Sequence, residues 1–384
     1  MKYKLSDICK YAKGKIKVSA LDDNTYISTE NMLPNKGGIT KAVSLPTQEQ
    51  TQAFMKNDVL VSNIRPYFKK IWYATFDGGC SNDVLVFRAK DGVSSSFLHY
   101  VLADDTFFDY SMATSKGTKM PRGDKKAIME YEVPELSYED QCKIAGILEA
   151  IDEKIELNTD INKNLADQSQ AILTHFMDVY QCEFQPLSDI ADIIDCLHSK
   201  KPNSEKDSSY QLIQLDNIRD DGFLDMSACK YMISAEDYRN WTRKCEIREG
   251  DCVITNVGRI GAVSQAPAGV KAAMGRNMTC IRLKDDIKLN AYLITTLLSK
   301  HMKRQIESNT DEGTIMGALN VKNIPKLLLP IFVPTRMSEL ERLLFPIRKQ
   351  IEYNNIQNQI LSQTRDTLLP HLMSGEIDIS NVEL

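Results

Sequence analysis

The 384 residues are 42% hydrophobic, enough for two or three domains with true cores and too apolar for a disordered chain. The formal charge of −5 excludes a generic polycation, but segment 138–180 alone holds nine acidic and three basic residues. That segment nets −6, which leaves +1 for the rest and keeps positive patches available elsewhere. The nine cysteines are scattered, the opening MKYKLSDICKYAKGK lacks an apolar leader, and the densest apolar stretch, 326–334, is short and broken by proline. A reducing cytoplasm, mostly free thiols and no membrane span are expected.

The chain opens on Leu5-Ser6-Asp7-Ile8, followed by β-rich runs at 58–64, 70–76 and 83–88. Turn formers separate them, among them Asn35-Lys36-Gly37-Gly38 and Asp77-Gly78-Gly79. Positive side chains gather in loops: Arg65, Lys69 and Lys70 surround Tyr67 and Phe68. Further on, Lys116, Lys119, Arg122, Lys125 and Lys126 are interrupted only by Asp124, a net of +4 over 115–126. With Gly117 and Gly123 permitting close backbone approach, such a loop suits phosphates and base edges, although solvated surface is the better reading of any one lysine.

From 139 to 180 there is no proline. Apolar residues fall at Ile144, Leu148, Ile151, Ile155, Leu165, Ile172, Phe176 and Val179, steps of four and three that predict a long helix with a heptad seam. At ~1.5 Å per residue, some 36 to 40 helical residues reach roughly 55 to 60 Å, more than a compact domain requires. Asn158 and Asn162 interrupt the seam.

After this helix the same order returns. Leu187-Ser188-Asp189-Ile190 repeats the opening, and β-rich runs follow at 210–215, 251–256, 262–265 and 278–283. LIQLDNI at 212–218 resembles YISTENM at 26–32, Asp251 matches Asp58, and Asn277 in GRNMTCIRLKD pairs with Asn82 in CSNDVLVFRAK. The offset grows from 182 through 193 and 195 to 196, as loop insertions between two copies of one fold would produce. Positive residues here are Lys200, Lys201, Lys206, Arg259 within Asn256-Val257-Gly258-Arg259-Ile260-Gly261, Arg276 beside Asn277, and Lys300, Lys303 and Arg304. Arginine and asparagine are the side chains that read guanine and adenine edges bidentately, which singles out Asn256, Arg259, Arg276 and Asn277.

A second seam runs through Leu340, Leu344, Ile347, Ile351, Leu361, Leu368 and Leu372, interrupted by Asn354 and Asn358. Pairing the two helices antiparallel would bring the four asparagines together; the other reading is local exposure there. Pro346 either kinks the second helix or marks its true start. One seamed helix per module cannot stand alone in water, so the two are expected to pair, giving a dumbbell. The fold class is α+β: two similar mixed α/β domains joined by two long helices packed as an antiparallel coiled coil.

Catalytic chemistry is not apparent. The loop at Gly258 lacks the lysine of a P-loop, no dinucleotide fingerprint precedes a helix, and the five histidines have no metal-ligand spacing with cysteine or carboxylate.

The duplicated openings KLSDI and PLSDI, together with KNDVLVSNIRP and EGDCVITNVGRIG, resemble the specificity subunit of a type I restriction-modification system. So do the asparagines before a strand, the Gly117-Thr118 and Gly313-Thr314 loops, the proline-containing strands Tyr131-Glu132-Val133-Pro134 and Leu329-Pro330-Ile331, and the helix opening Glu139-Asp140-Gln141. The second helix departs from the pattern at its opening, where 340–346 reads LERLLFP. The resemblance implies target-recognition domains at 1–137 and 181–338, spacer helices at 138–180 and 339–376, and a tail at 377–384. It implies a split double-stranded DNA site, two adenine-N6 methyltransferase subunits, and ATP-dependent motor-nuclease subunits. S-adenosylmethionine, ATP and magnesium would belong to those partners, with no cofactor in this chain. The alternatives are a protein-protein adaptor without base reading, a specificity subunit of a methylation-only complex, and a self-contained methyltransferase, the last disfavoured by the missing cofactor motif.

Overall fold

A computed structural model describes residues 2–285, 287–311, 317–377 and 379. Gly313-Thr314 and nearly all of the 377–384 tail therefore lie outside the described residues. The chain divides into two compact units, Met1–Lys154 with Ile360–Leu384, and Ile155–Gln359. Both long helices, Tyr138–Val179 and Pro334–Ser374, contribute residues to both units.

In the first unit an antiparallel sheet runs in the order Cys9–Tyr11, Val84–Ala89, Val59–Ser62, Ile71–Tyr73. Its central strands, rich in valine and leucine, are buried along nearly their whole length, which explains why they read as apolar runs and not as an alternation. A second sheet orders Lys15–Lys17, Gln50–Phe54, Gly78–Cys80 and Tyr26–Ile27, the last pair parallel. Gly78-Gly79, expected in a turn, are thus strand residues. A Cβ on Gly78 would come 2.3 Å from the Thr25 carbonyl oxygen, and one on Gly79 would come 2.5 Å from Leu21 Cδ1. Glycine here serves close approach within a sheet.

The second unit repeats this plan. One antiparallel sheet orders Ala191–Asp195, Met278–Leu283, Cys252–Thr255 and Val263–Gln265. The other contains Tyr210–Ile213, Lys271–Met274 and Glu246–Arg248, matching Tyr26–Ile27, Gly78–Cys80 and Gln50–Phe54 in order and direction. The copies differ at the edges: the first adds Lys15–Lys17 beside Gln50–Phe54, whereas the second adds Met232–Ile233 beside Tyr210–Ile213, the opposite side. The ladders also correct one pairing. Asn63 donates its amide to the Asp83 carbonyl at 2.8 Å and Asn256 to the Asn277 carbonyl at 2.8 Å, so Asp83 corresponds to Asn277 and Asn82 to Arg276. A slip of one residue would exchange the faces of the strand.

Each copy is tied by an ion pair between a half-buried arginine and a buried aspartate. Arg88 meets Asp58 at 2.7 and 2.6 Å, and Arg282 meets Asp251 at 2.8 and 2.6 Å. The same carboxylates accept backbone N–H groups of the preceding turn, from Met55 at 2.7 Å and Arg248 at 2.9 Å. With both partners satisfied, the burial cost is offset by charge-assisted bonds.

The two helices span 42 and 41 residues. The distal one starts at Pro334, where a proline at the first helical position needs no donor, and continues through the exposed Pro346. The structure therefore has neither a true start at Pro346 nor an interruption there. In the second unit Asn158 Nδ2 donates to Asn358 Oδ1 at 2.8 Å and Asn354 Nδ2 to Asn162 Oδ1 at 2.8 Å. In the first unit Arg365 Nη1 donates to Asp152 at 2.6 Å. As residue numbers rise on one helix they fall on the other, so the pair is antiparallel. Asn158 and Asn354 are 1% and 3% exposed, which excludes local exposure as the reason for the break in the seam.

The seam does more than pair helices. Ile144 and Leu148 of the central helix, with Leu369 and Leu372 of the distal helix, enter the core of the first unit. Leu173 and Phe176 with Leu340 and Leu344 do the same in the second. Ile351 is buried, while Ile151, Ile155, Leu165, Ile347, Leu361 and Leu368 are half-buried along the pair. Among the described residues no helix is long and apolar enough to cross a membrane.

Candidate nucleic-acid interface

In the first unit the hairpin of Val59–Ser62 and Ile71–Tyr73 ends in a tip made by Arg65, the 3-10 turn Pro66–Phe68 and Lys69. The basic segment 115–126 lies against this tip. Arg65 N–H donates to the Pro121 carbonyl at 2.8 Å, Gly123 N–H to the Asn63 carbonyl at 3.2 Å, and Ile64 bridges Arg122. Glycine at 123 gives that fit its room, because a Cβ would sit 2.9 Å from Asn63 Oδ1 and 2.8 Å from Ile128 Cδ1 and one of these side chains would have to shift.

The cations here are partly committed. Lys116 pairs with Asp124 at 2.6 Å, Arg122 with Asp83 at 3.1 Å, and Lys69 with Asp105 at 2.7 Å. Lys70 donates to the Thr29 carbonyl at 2.6 Å, and its burial lowers its pKa. The Lys116 bond, helped by the N–H groups of Ala127 and Lys126, holds the Asp124 carboxyl down to about 2. Asp124 also caps the short helix Lys125–Ile128, which fixes where the loop ends. Lys119, Lys125 and Lys126 are exposed and have no carboxylate partner among the described residues, so they are the free positive charges of the loop.

The second unit presents two separate sites. Lys201, Arg276 and Asn277 line one cleft with Gln214, Leu215 and Trp241. Lys201 Nζ stands 3.7 Å from the centre of the Tyr231 ring, a cation–π contact, with Lys200 exposed beside it. Asn277, at φ 63°, turns the chain so that Arg276 and Asn277 are both exposed. Arg259 lies elsewhere, at a hairpin tip. Its guanidinium donates to the Ile218 carbonyl at 2.6 Å and pairs with Asp220. Asn256 is buried, with Nδ2 2.9 Å from Thr279 Oγ1, and the threonine donates back to its Oδ1 at 3.2 Å. Asn256 thus ties the start of the hairpin tip to the neighbouring strand Met278–Leu283.

The sequence reading missed the two Asp–Arg ties. The available signal was Arg88 and Arg282 recurring at one place in the repeated strand. Among the described residues two clusters place ligand-type atoms within 4.8 Å of one another, Asp195 with Cys196 and His198, and Cys245 with Asp251 and Cys280. In the first, His198 and Asp195 pair with each other at 2.7 Å, and in the second Arg282 occupies the carboxylate. Neither is an open ligand cage.

The duplicated sheets and the paired helices define a class: proteins built from two similar mixed α/β modules, each packed on a pair of long antiparallel helices. Residues 1–166 match the family model described as the type I restriction modification DNA specificity domain. The chain is 22% identical to the HindI specificity subunit of Haemophilus influenzae over 98% of its own length and 99% of the relative's. It is also 22% identical to the MjaVIII specificity subunit of Methanocaldococcus jannaschii, covering 99% and 93%. The crystal structure of a type I restriction-modification S subunit from M. genitalium shares the fold, with a TM-score of 0.54 and 15% identity over 97% of this chain and 96% of that one. The chain is thus similar in sequence to type I restriction-modification specificity subunits over nearly its whole length, and it shares the fold of one solved S subunit.

Proposed function

We propose that this chain reads a bipartite double-stranded DNA target, one module per half-site, and positions the methyltransferase and restriction subunits of a type I complex. The observation that carries this reading is a common frame bearing different reading surfaces. The inner strands, Asp–Arg ties and helix seams recur, whereas the edge strands and exposed basic loops do not. Two nonidentical readers on one frame are what an asymmetric split site requires. The match to specificity subunits favours this reading over an adaptor that never reads bases.

The target-recognition domains would be 1–137 and 181–338, with 138–180 and 339–376 as spacer and docking helices. The chain acts as the non-catalytic component in the cytoplasm. S-adenosylmethionine, ATP and magnesium belong to two methyltransferase subunits and the motor-nuclease subunits, or to the methyltransferase alone in a methylation-only complex. Lys119, Lys125 and Arg122 in the first module, and Lys200, Lys201, Arg276 and Asn277 in the second, are the side chains best placed to meet DNA.

Reversing charge at Lys119 and Lys125 tests this in the assembled complex. Affinity for target duplex should fall at low salt, and the slope of log affinity against log salt should shrink by about one for each phosphate no longer neutralised. Unchanged affinity and slope would favour the adaptor.

A further inference from the structure

We infer that Tyr67 and Phe68 form an aromatic wedge that the first module inserts at a base step of its DNA half-site. The inference rests on the DNA-reading function proposed above and adds to it a mode of contact confined to one module.

Three large apolar side chains stand out of the basic surface of the first unit: Tyr67 at 49% exposure, Phe68 at 37% and Met120 at 48%. The Tyr67 and Phe68 rings adjoin at 4.7 Å between centres, forming one apolar prominence. Exposed aromatics on a protein surface carry a solvation cost and mark contact sites when they cluster. The same tip touches the 115–126 segment through Arg65 and Ile64, whose net charge of +4 suits a polyanion. Apolar wedges set among cations are the means by which proteins part stacked bases and kink a duplex.

The tip is also held rigidly in a costly shape. Among the described residues six non-glycine residues have positive φ, and four of them meet here: Asn35 at 55°, Lys36 at 60°, Arg65 at 50° and Lys69 at 49°. They brace one another, since Asn35 N–H donates to the Phe68 carbonyl and Lys36 N–H to the Lys69 carbonyl, both at 2.8 Å. Asp105 then clamps both strained lysines, Lys36 at 3.0 Å and Lys69 at 2.7 Å. Left-handed conformations of bulky residues persist only where the surroundings over-determine them. These bonds and ion pairs flank the turn Pro66–Phe68, on which both rings stand exposed. The corresponding tip of the second unit carries Gly258, Arg259, Ile260 and Gly261 and no aromatic residue.

The test uses the complete chain assembled with its methyltransferase, on duplexes containing the sequence found by mapping methylated adenines. 2-Aminopurine is placed at successive positions of both half-sites, excluding the methylated adenines, because a methyltransferase unstacks its own target base. One step in one half-site should brighten several-fold on binding. Tyr67→Ala with Phe68→Ala should abolish that rise and weaken binding about tenfold while leaving the salt slope unchanged, and Tyr67→Phe should preserve the rise. Tight binding with no responding step, or a rise that survives the double substitution, overturns the wedge and leaves DNA reading intact. A wild-type complex that ignores its own target sequence overturns the reading beneath it.

Discussion

At the scale of single residues, His99 shows how burial sets behaviour. It lies between Tyr73 and Tyr100, with ring centres at 5.6 and 5.1 Å, and its Nδ1 has no hydrogen-bond partner among the described residues. Burial pushes the imidazole down to about 4, against the pull of Asp152 and with help from Arg365 and Lys36. The unfolded chain takes up this proton near pH 6.5, the folded chain only near 4. The group's contribution is therefore present above pH 6.5 and lost as pH falls toward 4, on the order of 3 kcal/mol in all. His99→Phe should flatten the decline of the urea midpoint between pH 6.5 and 4.5; an unaltered decline would contradict the assignment. The charged residues of the candidate site stood out in the sequence because loops between apolar runs displayed them. Their availability was not. Arg259 is engaged by Asp220 and Asn256 by Thr279, partners 39 and 23 residues away along the chain, and nothing local in a sequence reports such a partner.

At the scale of elements, the long helices were legible from their seams because a repeat of four and three survives any tertiary context. The distal helix nevertheless begins at Pro334, five residues before the expected 339, because a proline can open a helix as well as stop one. The short edge strands Lys15–Lys17 and Met232–Ile233 were invisible, as pairing with a neighbour and not propensity makes them strands. Within the helix pair, the asparagines replace apolar packing with bonds that only one alignment satisfies. Asn162 accepts from Asn354 at 2.8 Å and donates to the Ile351 carbonyl at 3.3 Å. Asn162→Ala should cost about 1–3 kcal/mol by stranding its partner. In a double-mutant cycle with Asn354→Ala the losses should fall short of additive by about 1 kcal/mol. Strict additivity in thermal or urea melts would mean that the two amides do not support each other.

At the scale of the whole molecule, duplication preserves what must be common and frees what must differ. The cores of both units are closed by the beginning of one long helix and the end of the other, so neither module can change its helical frame without disturbing its own packing. Loops and edge strands carry no such constraint, which is why they diverge while the frame persists. If the frame is the spacer, its length and the words read are separable quantities. Seven residues inserted directly after Asn162, with seven directly before Asn354, would face each other, keep the heptad phase and lengthen the pair by ~10.5 Å. At ~3.4 Å per base pair, the methylated target should keep both half-sites and gain about three base pairs between them. Mapping modified adenines in a host carrying the altered chain with its partners measures both quantities at once. New half-site bases at constant spacing would show that the helices shape the readers and do not space them.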